Sequence, residues 1–352
     1  MEKIRTGINR LTEGFSYLET NVYKYRIILY AGGLSLSMLL PVFGFSQYMT
    51  RIFIMIGIYT MLALGLNILT GYTGLVSLGH GGFFAIGAYT TAILMLRFQM
   101  NFLIAVMIAM VFTGICGLLL GLPTLRLTGT YLSIVTLGFG EIVRMVIMNF
   151  DTVTNGTLGI RNIPRPSFFG FELTLANHGL FYLMLVLLIL VTYVCIGIQN
   201  SNMGRTLRAI KADELAAVMM GIRSSRYKVG AFVVSAVLTG LAGGYYASLV
   251  SYIDHNSFTF DVSIMILSIV ILGGMGTIRG MFLGAAILVA FPEVARPLME
   301  WRFVVYGLVL ILMMRFKPQG LLGWRSRLPY KIPVLKRSQT YREEKEANRR
   351  GR

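Results

Sequence analysis

Three groups of residues in the chain have types and spacing that could do chemistry. The first is a carboxylate and a guanidinium, Glu141 and Arg144, three residues apart inside the apolar run 132–150. At that spacing on a helix they share a face and can pair. They would also suit the two charges of a zwitterionic amino acid; the salt bridge is the plainer reading. The second is the stretch GYTGLVSLGHGGFFAIGAY, residues 71–89, in which six glycines, Thr73, Ser77 and His80 interrupt two apolar segments. Glycines permit tight turns, and the hydroxyls and imidazole offer hydrogen bonds, so Gly71, Thr73, Ser77 and His80, with Glu141 and Arg144, are candidates for lining a polar interior. A hydrogen-bonded structural histidine is the plainer reading of His80 than a proton carrier. The third is QNSNMGRTLRAIKADELAAVMMGIRSSRYK, residues 199–228, the most polar internal segment.

No arrangement for covalent catalysis accompanies them. There is no G-x-x-x-x-G-K-[ST] phosphate loop, no H-E-x-x-H zinc pair and no G-x-S-x-G elbow. GGMGTIRG, residues 273–280, has the glycines of a nucleotide loop without the spacing, and reads better as a tight turn between two closely packed helices. Cys116 and Cys195 both sit in apolar segments, which argues against a disulfide framework or a metal site. The expectation is a chain with no catalytic residues, no metal and no cofactor of its own.

The elements that must position these residues are membrane spans. Of 352 residues, 55% are hydrophobic and 13% charged, about half the charge of a soluble domain, and the mean hydropathy is +0.70. Ten apolar segments follow: 27–45, 52–69, 83–96, 102–122, 132–150, 179–198, 229–250, 264–278, 281–299 and 303–314. The longer ones match the roughly 20 residues needed to cross a hydrocarbon core; the eighth and ninth could be one broken helix. The sequence therefore predicts an all-α integral membrane protein, a bundle of about ten transmembrane helices. Residues 1–26 form a polar N-terminal segment with no cleavable signal, 27–314 the membrane domain, and 315–352 a basic tail.

Five basic residues in 1–26, six in 199–228 and twelve from Arg315 onward carry most of the 32 lysines and arginines. With ten crossings all three segments fall on one side, which the positive-inside rule makes cytoplasmic. The net charge of +17 thus sets topology beside a lipid surface and needs no nucleic acid. Small residues recur every fourth position at Ala236, Gly240, Gly244 and Ser248, and again at Gly117 and Gly121, the stripe that lets helices approach closely in lipid.

In 199–228 two short helices are expected, near 203–211 and 214–220. Asp213 suits an N-cap and Gly221 a C-terminal stop. Leu215, Val218, Met219 and Ile222 share one apolar face, and a helix so short must pack on something: its own bundle, the membrane surface or a partner. Here the residues carry a resemblance. Glu214, Leu215, Ala216, Ala217, Met220 and Gly221 in ELAAVMMG resemble the cytoplasmic E-A-A…G motif of ABC importer permeases, a short coupling helix that docks on the ATP-binding subunit. Leu215 separates the glutamate from the alanine pair, a departure from the plain motif, and Arg205, Arg208 and Lys211 would supply a charged rim. LNILTGYTGLVSLGHGGFFAIGAY (66–89), GTYLSIVTLGFGEIVRMV (129–146), SIVILGGMGTIRG (268–280) and RFKPQGLLG (315–323) are similar to further blocks of the branched-chain amino-acid permeases.

The resemblance covers roughly residues 50–323 and implies a type II ABC importer permease. Its partners would be a sister permease subunit, two ATP-binding cassette subunits holding ATP and magnesium, and an extracytoplasmic substrate-binding protein, in a prokaryotic plasma membrane with both termini cytoplasmic. The implied cargo is leucine, isoleucine and valine, with urea, short amides or another small polar solute as the alternative. In such a chain 71–82 is either irregular backbone beside the substrate path or a cytoplasmic turn, and Gly71, Thr73, Ser77, His80, Glu141 and Arg144 become candidates for lining that path. An ion-gradient-driven transporter is the rival class, which the E-A-A-like loop opposes. An intramembrane enzyme would need catalytic residues that are not found.

Overall fold

The computed structural model describes residues 46–124, 129–168 and 171–294, with residues 304, 307, 311 and 320–322. The expected segment 27–45, most of 303–314, the N-terminal segment 1–26 and most of the basic tail lie outside them. Ten helices of six residues or more fill the described residues. They are α1 (Gln47–Leu66), α2 (His80–Arg97), α3 (Phe102–Thr124), α4 (Thr130–Asn149), α5 (Gly179–Asn200), α6 (Asn202–Ala212), α7 (Glu214–Met219), α8 (Ser224–Val250), α9 (Phe260–Gly273) and α10 (Ile278–Val294). Six stretches among the described residues are long and apolar enough to cross a membrane: 47–71, 102–123, 131–149, 179–200, 224–250 and 255–273. Segment 83–96 is helical as α2, and 281–299 begins as the shorter apolar helix α10.

α8 is the hub, and its small residues explain why. In lipid, helices associate through close packing and hydrogen bonds because no hydrophobic gain separates protein from tails. A Cβ on Gly87 of α2 would lie 2.3 Å from the carbonyl oxygen of Gly240, and one on Gly117 of α3 would lie 2.6 Å from Ala236 Cβ. Only glycine backbones fit so near. The contacts of α2 advance along α8 in the same direction, from Gly87 against Gly240 to Gly244 against Thr91, so these two helices are parallel. Those of α3 run oppositely, Gly117 against Ala236 and Thr113 against Gly240.

α9 and α10 form an antiparallel hairpin, not one broken helix. Positions for a Cβ on Gly273 and Gly284 fall 2.2 Å from Gly280 O and 2.6 Å from Ile269 O, leaving residues 274–277 as the tight turn between them. Leu321 N and Leu322 N donate to Leu272 O and Gly273 O beside that turn. At the far end of the bundle two minimal antiparallel ribbons cap the helices. β1 (Ile160–Arg161) faces β4 (Tyr252–Ile253) with Ile160 opposite Ile253, and β2 (Ser167–Phe168) faces β3 (Phe171–Glu172).

Candidate functional site

The interruption at 71–79 is where the bundle is least regular. α1 runs on through a π-helical turn, Asn67–Gly71, and α2 starts only at His80. Tyr72 and Thr73 are still helical and residues 74–79 are not, yet apart from Gly74 every residue from 71 to 82 is buried or half-buried. Backbone polar groups enclosed in this way must find partners inside the protein. Hydroxyl side chains supply them. Thr70 Oγ1 donates to Leu75 O at 3.0 Å, Ser133 Oγ to Val76 O at 2.9 Å, and Leu78 N donates to Thr136 Oγ1 at 3.0 Å. Gly79 N and Leu75 N donate to Ser77 Oγ and Thr73 Oγ1, and Thr73 Oγ1 donates to Leu69 O at 2.5 Å. Ser133 and Thr136 come from α4, which therefore forms one wall of the break.

α2 begins inside the bundle as well. His80 is fully buried; its Nε2 lies 2.7 Å from Ser235 Oγ, near the middle of α8, and its Nδ1 lies 3.2 Å from Ser77 Oγ. The next residue, Gly81, donates its N–H to Ser263 Oγ in the first turn of α9 at 2.9 Å. Thus Ser77 and His80 are brought together, whereas Thr73 bonds within its own turn and Gly71 packs against Gly276 of the α9–α10 turn; these contacts hold the break. Ser133, Thr136, Ser235 and Ser263, which complete it, were not singled out from the sequence. Their only signal was a hydroxyl in an apolar run.

Glu141 and Arg144 lie elsewhere. Arg144 Nε donates to Glu141 Oε2 at 2.9 Å, and the side chains are 30% and 31% exposed. Of the six span-length stretches, α4's has the fewest buried residues, 17%. One side of α4 packs on the break, where a Cβ on Gly79 would meet Thr136 O at 2.4 Å. Along the rest of the helix Tyr131, Ile134, Ile142, Met145 and Val146 are exposed, as is the ion pair in part. The structure therefore divides the candidate path residues into a buried group at 71–80 and an open pair on α4.

The loop 199–228 is built from two capped helices. Ser201 Oγ accepts from Gly204 N to start α6, and Asp213 Oδ1 accepts from Ala216 N at 3.0 Å to start α7. Gly221 follows α7 at φ +83°, the left-handed region that glycine tolerates. Glu214 Oε1 accepts from both Ser224 Oγ and Lys228 Nζ at 2.5 Å, which fastens α7 to the first turns of α8. The Lys228 hydrogen bond, helped by Ser224, holds the Glu214 carboxyl below its usual range. Ala217 is buried, whereas Leu215, Met219 and Met220 are 77%, 86% and 84% exposed. Most of the apolar face of α7 thus turns away from its own bundle. Arg208 turns inward, donating to Gly204 O within α6 at 3.1 Å and to Gln199 O at 2.8 Å, where a cation satisfies one of the last carbonyls of α5. Lys211 and Lys228, read from sequence only as loop charges, tie the loop to the bundle: Lys211 reaches Gly71 O of the bundle, and Lys228 of α8 holds Glu214 of the loop.

Among the described residues no group of three or more His, Cys, Asp or Glu side chains is placed to hold a metal ion. A family model described as the permease component of a branched-chain amino acid transport system matches residues 48–314. The high-affinity branched-chain amino acid transport system permease protein LivM of Escherichia coli (strain K12) is 38% identical over 301 residues, 79% of this chain and 69% of the relative. The corresponding LivH protein of Salmonella typhimurium is 24% identical over 288 residues, 75% of this chain and 91% of the relative. The fructose import permease protein FrcC of Rhizobium meliloti is 26% identical over 217 residues, 56% of this chain and 60% of the relative. No solved structure matches.

Proposed function

The chain belongs to the branched-chain amino-acid transport permease family, and on that premise we propose that it imports leucine, isoleucine and valine through alternating access driven by ATP. It is a permease subunit of an ABC importer and a multi-pass membrane protein. The partners we assign are a sister permease of the LivH kind, two ATP-binding cassette subunits that hold ATP and magnesium, and a substrate-binding protein at the outer face. We assign ten crossings, two of them to the apolar sequence runs 27–45 and 303–314, with both termini and the loop 199–228 on the cytoplasmic side of a prokaryotic plasma membrane, an orientation that the distribution of lysine and arginine supports.

α7 is the coupling helix in this reading. The observation that carries it is a short helix, fastened to α8 through Glu214, whose Leu215, Met219 and Met220 face outward. A six-residue helix gains little from its own hydrogen bonds, and exposed apolar side chains on a polar loop mark a surface for another protein. Glu214, Leu215, Ala216, Ala217, Met220 and Gly221 form this surface, while Arg208 supports it from behind. On the membrane side, we assign Glu141 and Arg144, partly exposed on the open side of α4, to the substrate path or to the contact with the sister permease. The chain itself performs no covalent step.

Uptake of labelled leucine, isoleucine, valine and urea tests the reading in cells lacking the gene and in cells complemented with the wild type, Met219→Glu or Gly221→Trp. Saturable leucine uptake that is lost on deletion, restored by the wild type and not by either loop variant supports cargo and coupling site together. Unchanged amino-acid uptake with lost urea uptake replaces the cargo. Normal uptake with both loop variants removes α7 from the mechanism.

A further inference from the structure

Lys211 does something that docking on a partner does not require. Its Nζ donates to Gly71 O at 2.8 Å, the carbonyl that ends the π-helical turn of α1. Its stem lies along Gly74, where an added Cβ would meet Lys211 Cγ at 3.3 Å. Gly71 is held from another side too: a Cβ there would fall 2.6 Å from Gly276 N, which donates to Asn67 Oδ1 at 2.7 Å. One peptide unit therefore joins the end of α1, the α9–α10 turn and α6. Carbonyls at a helix C-terminus lack intrahelical partners and attract cations. The neighbouring cations are engaged differently, Arg208 with Gln199 and Gly204, Lys228 with Glu214.

The two anchors of the loop meet unlike elements. Through Glu214 and Lys228, α7 is tied to α8, a 27-residue helix locked into its neighbours by glycine contacts and fit to move only as a body. Through Lys211, α6 is tied to the mouth of the 71–79 break, whose backbone is held by hydroxyls that can rotate to new partners.

We propose that Lys211 is a positioning residue that transmits displacement of α6 and α7 to the backbone break at 71–79, and so to the start of α2. This rests on α7 being the coupling helix. The test uses the complex purified through a tag on this chain and reconstituted in vesicles with its binding protein, comparing wild type, Lys211→Met and Lys211→Arg. Methionine keeps the apolar stem and removes the donor; arginine restores a donor. Expected for Lys211→Met are normal assembly and ATP hydrolysis, with leucine transported per ATP falling about fivefold or more, and at least half of the loss recovered by Lys211→Arg. Unchanged transport per ATP in Lys211→Met overturns the proposal, as does a loss that Lys211→Arg fails to relieve. If Lys211→Met does not assemble, amide exchange in the wild-type complex decides. Peptides covering 70–79 and 205–220 must change together on ATP binding, and a break that stays unchanged while the loop responds overturns the link. A wild-type complex with no ATP-driven uptake would instead remove the coupling-helix reading on which it rests.

Discussion

His80 Nε2 lies 2.7 Å from Ser235 Oγ, and Ser235 passes its own proton on to Gly65 O, also at 2.7 Å. The serine has one hydrogen to donate, so the imidazole must be the donor to it, which fixes the Nε2–H tautomer. An unpaired positive charge is costly at a site so fully buried, which favours the neutral ring, with Nδ1 accepting from the Ser77 hydroxyl at 3.2 Å; in that form His80 bolts the start of α2 to α8 and α1. Ser235→Ala leaves a buried N–H unpaired at a cost of about 1–3 kcal/mol. The expected outcome is a lower melting temperature of the detergent-purified complex, with uptake per assembled complex nearly unchanged. A pH dependence of uptake between 6 and 8 that vanishes in His80→Gln would count against the neutral ring.

The packing of α2 on α8 leads to a sharper contrast. A Cβ on Gly87 would sit 2.3 Å from Gly240 O, in backbone that cannot step aside, whereas one on Gly197 meets nothing within 4 Å. Gly87→Ala should therefore destabilise by about 1–3 kcal/mol or more, the usual range for overpacking, and Gly87→Val should prevent accumulation of the folded chain. Gly197→Ala should be silent, with a small gain from helix propensity. Fluorescence-detected size exclusion of tagged variants reads all three.

What the sequence made legible and what it hid divide along one physical line. Apolar runs report their own burial, so 102–122, 132–150, 179–198 and 229–250 each correspond to a helix within a few residues. Local signals also served: Asp213 caps α7 and Gly221 takes the positive φ that ends it. Partners distant in sequence leave no such trace. Nothing in GYTGLVSLGHG says that Thr136, Ser235 and Ser263 complete its hydrogen bonds, 58 to 182 residues away. For the same reason Lys211 and Arg208 read as rim charges, although both point back into the fold.

Glu214 yields a prediction in pH. Its carboxyl is held below its usual range by Lys228 first and Ser224 second, and its side chain is 43% exposed. A folded carboxyl that titrates below its unfolded counterpart contributes stability that is complete above the ordinary carboxylate range and is lost as pH falls through the folded value. The tie between α7 and α8 should loosen on acidification from about pH 5 downward. Cleavage of the loop 199–228 by an acid protease should rise over that window in the wild type. In Glu214→Gln, where no carboxylate remains to protonate, cleavage should be high already and rise less. Equal pH profiles for the two proteins would show that the ion pair does not fasten the helix.

The Glu141–Arg144 pair separates two jobs that one geometry permits. Charges facing acyl chains near the bilayer centre cost about 2.5–3.5 kcal/mol each on insertion scales, yet this pair is about 30% exposed on the helix with the fewest buried residues among the six span-length stretches. Cover by the sister permease or by the aqueous path costs less than cover by lipid. Glu141→Gln should lower uptake about tenfold while leaving the amount of assembled complex unchanged, because the open side of α4 contributes little to the fold of this chain. The exchange Glu141→Arg with Arg144→Glu then discriminates. It rebuilds the ion pair with its polarity reversed along the helix, so recovered uptake would mean that mutual neutralisation is all the pair supplies. Persistently low uptake in an assembled complex, with a raised KM for leucine, would mean that the carboxylate and the guanidinium are read individually by the ammonium and carboxylate of the passing amino acid. Loss of assembly in Glu141→Gln itself would place the pair in the contact between permeases.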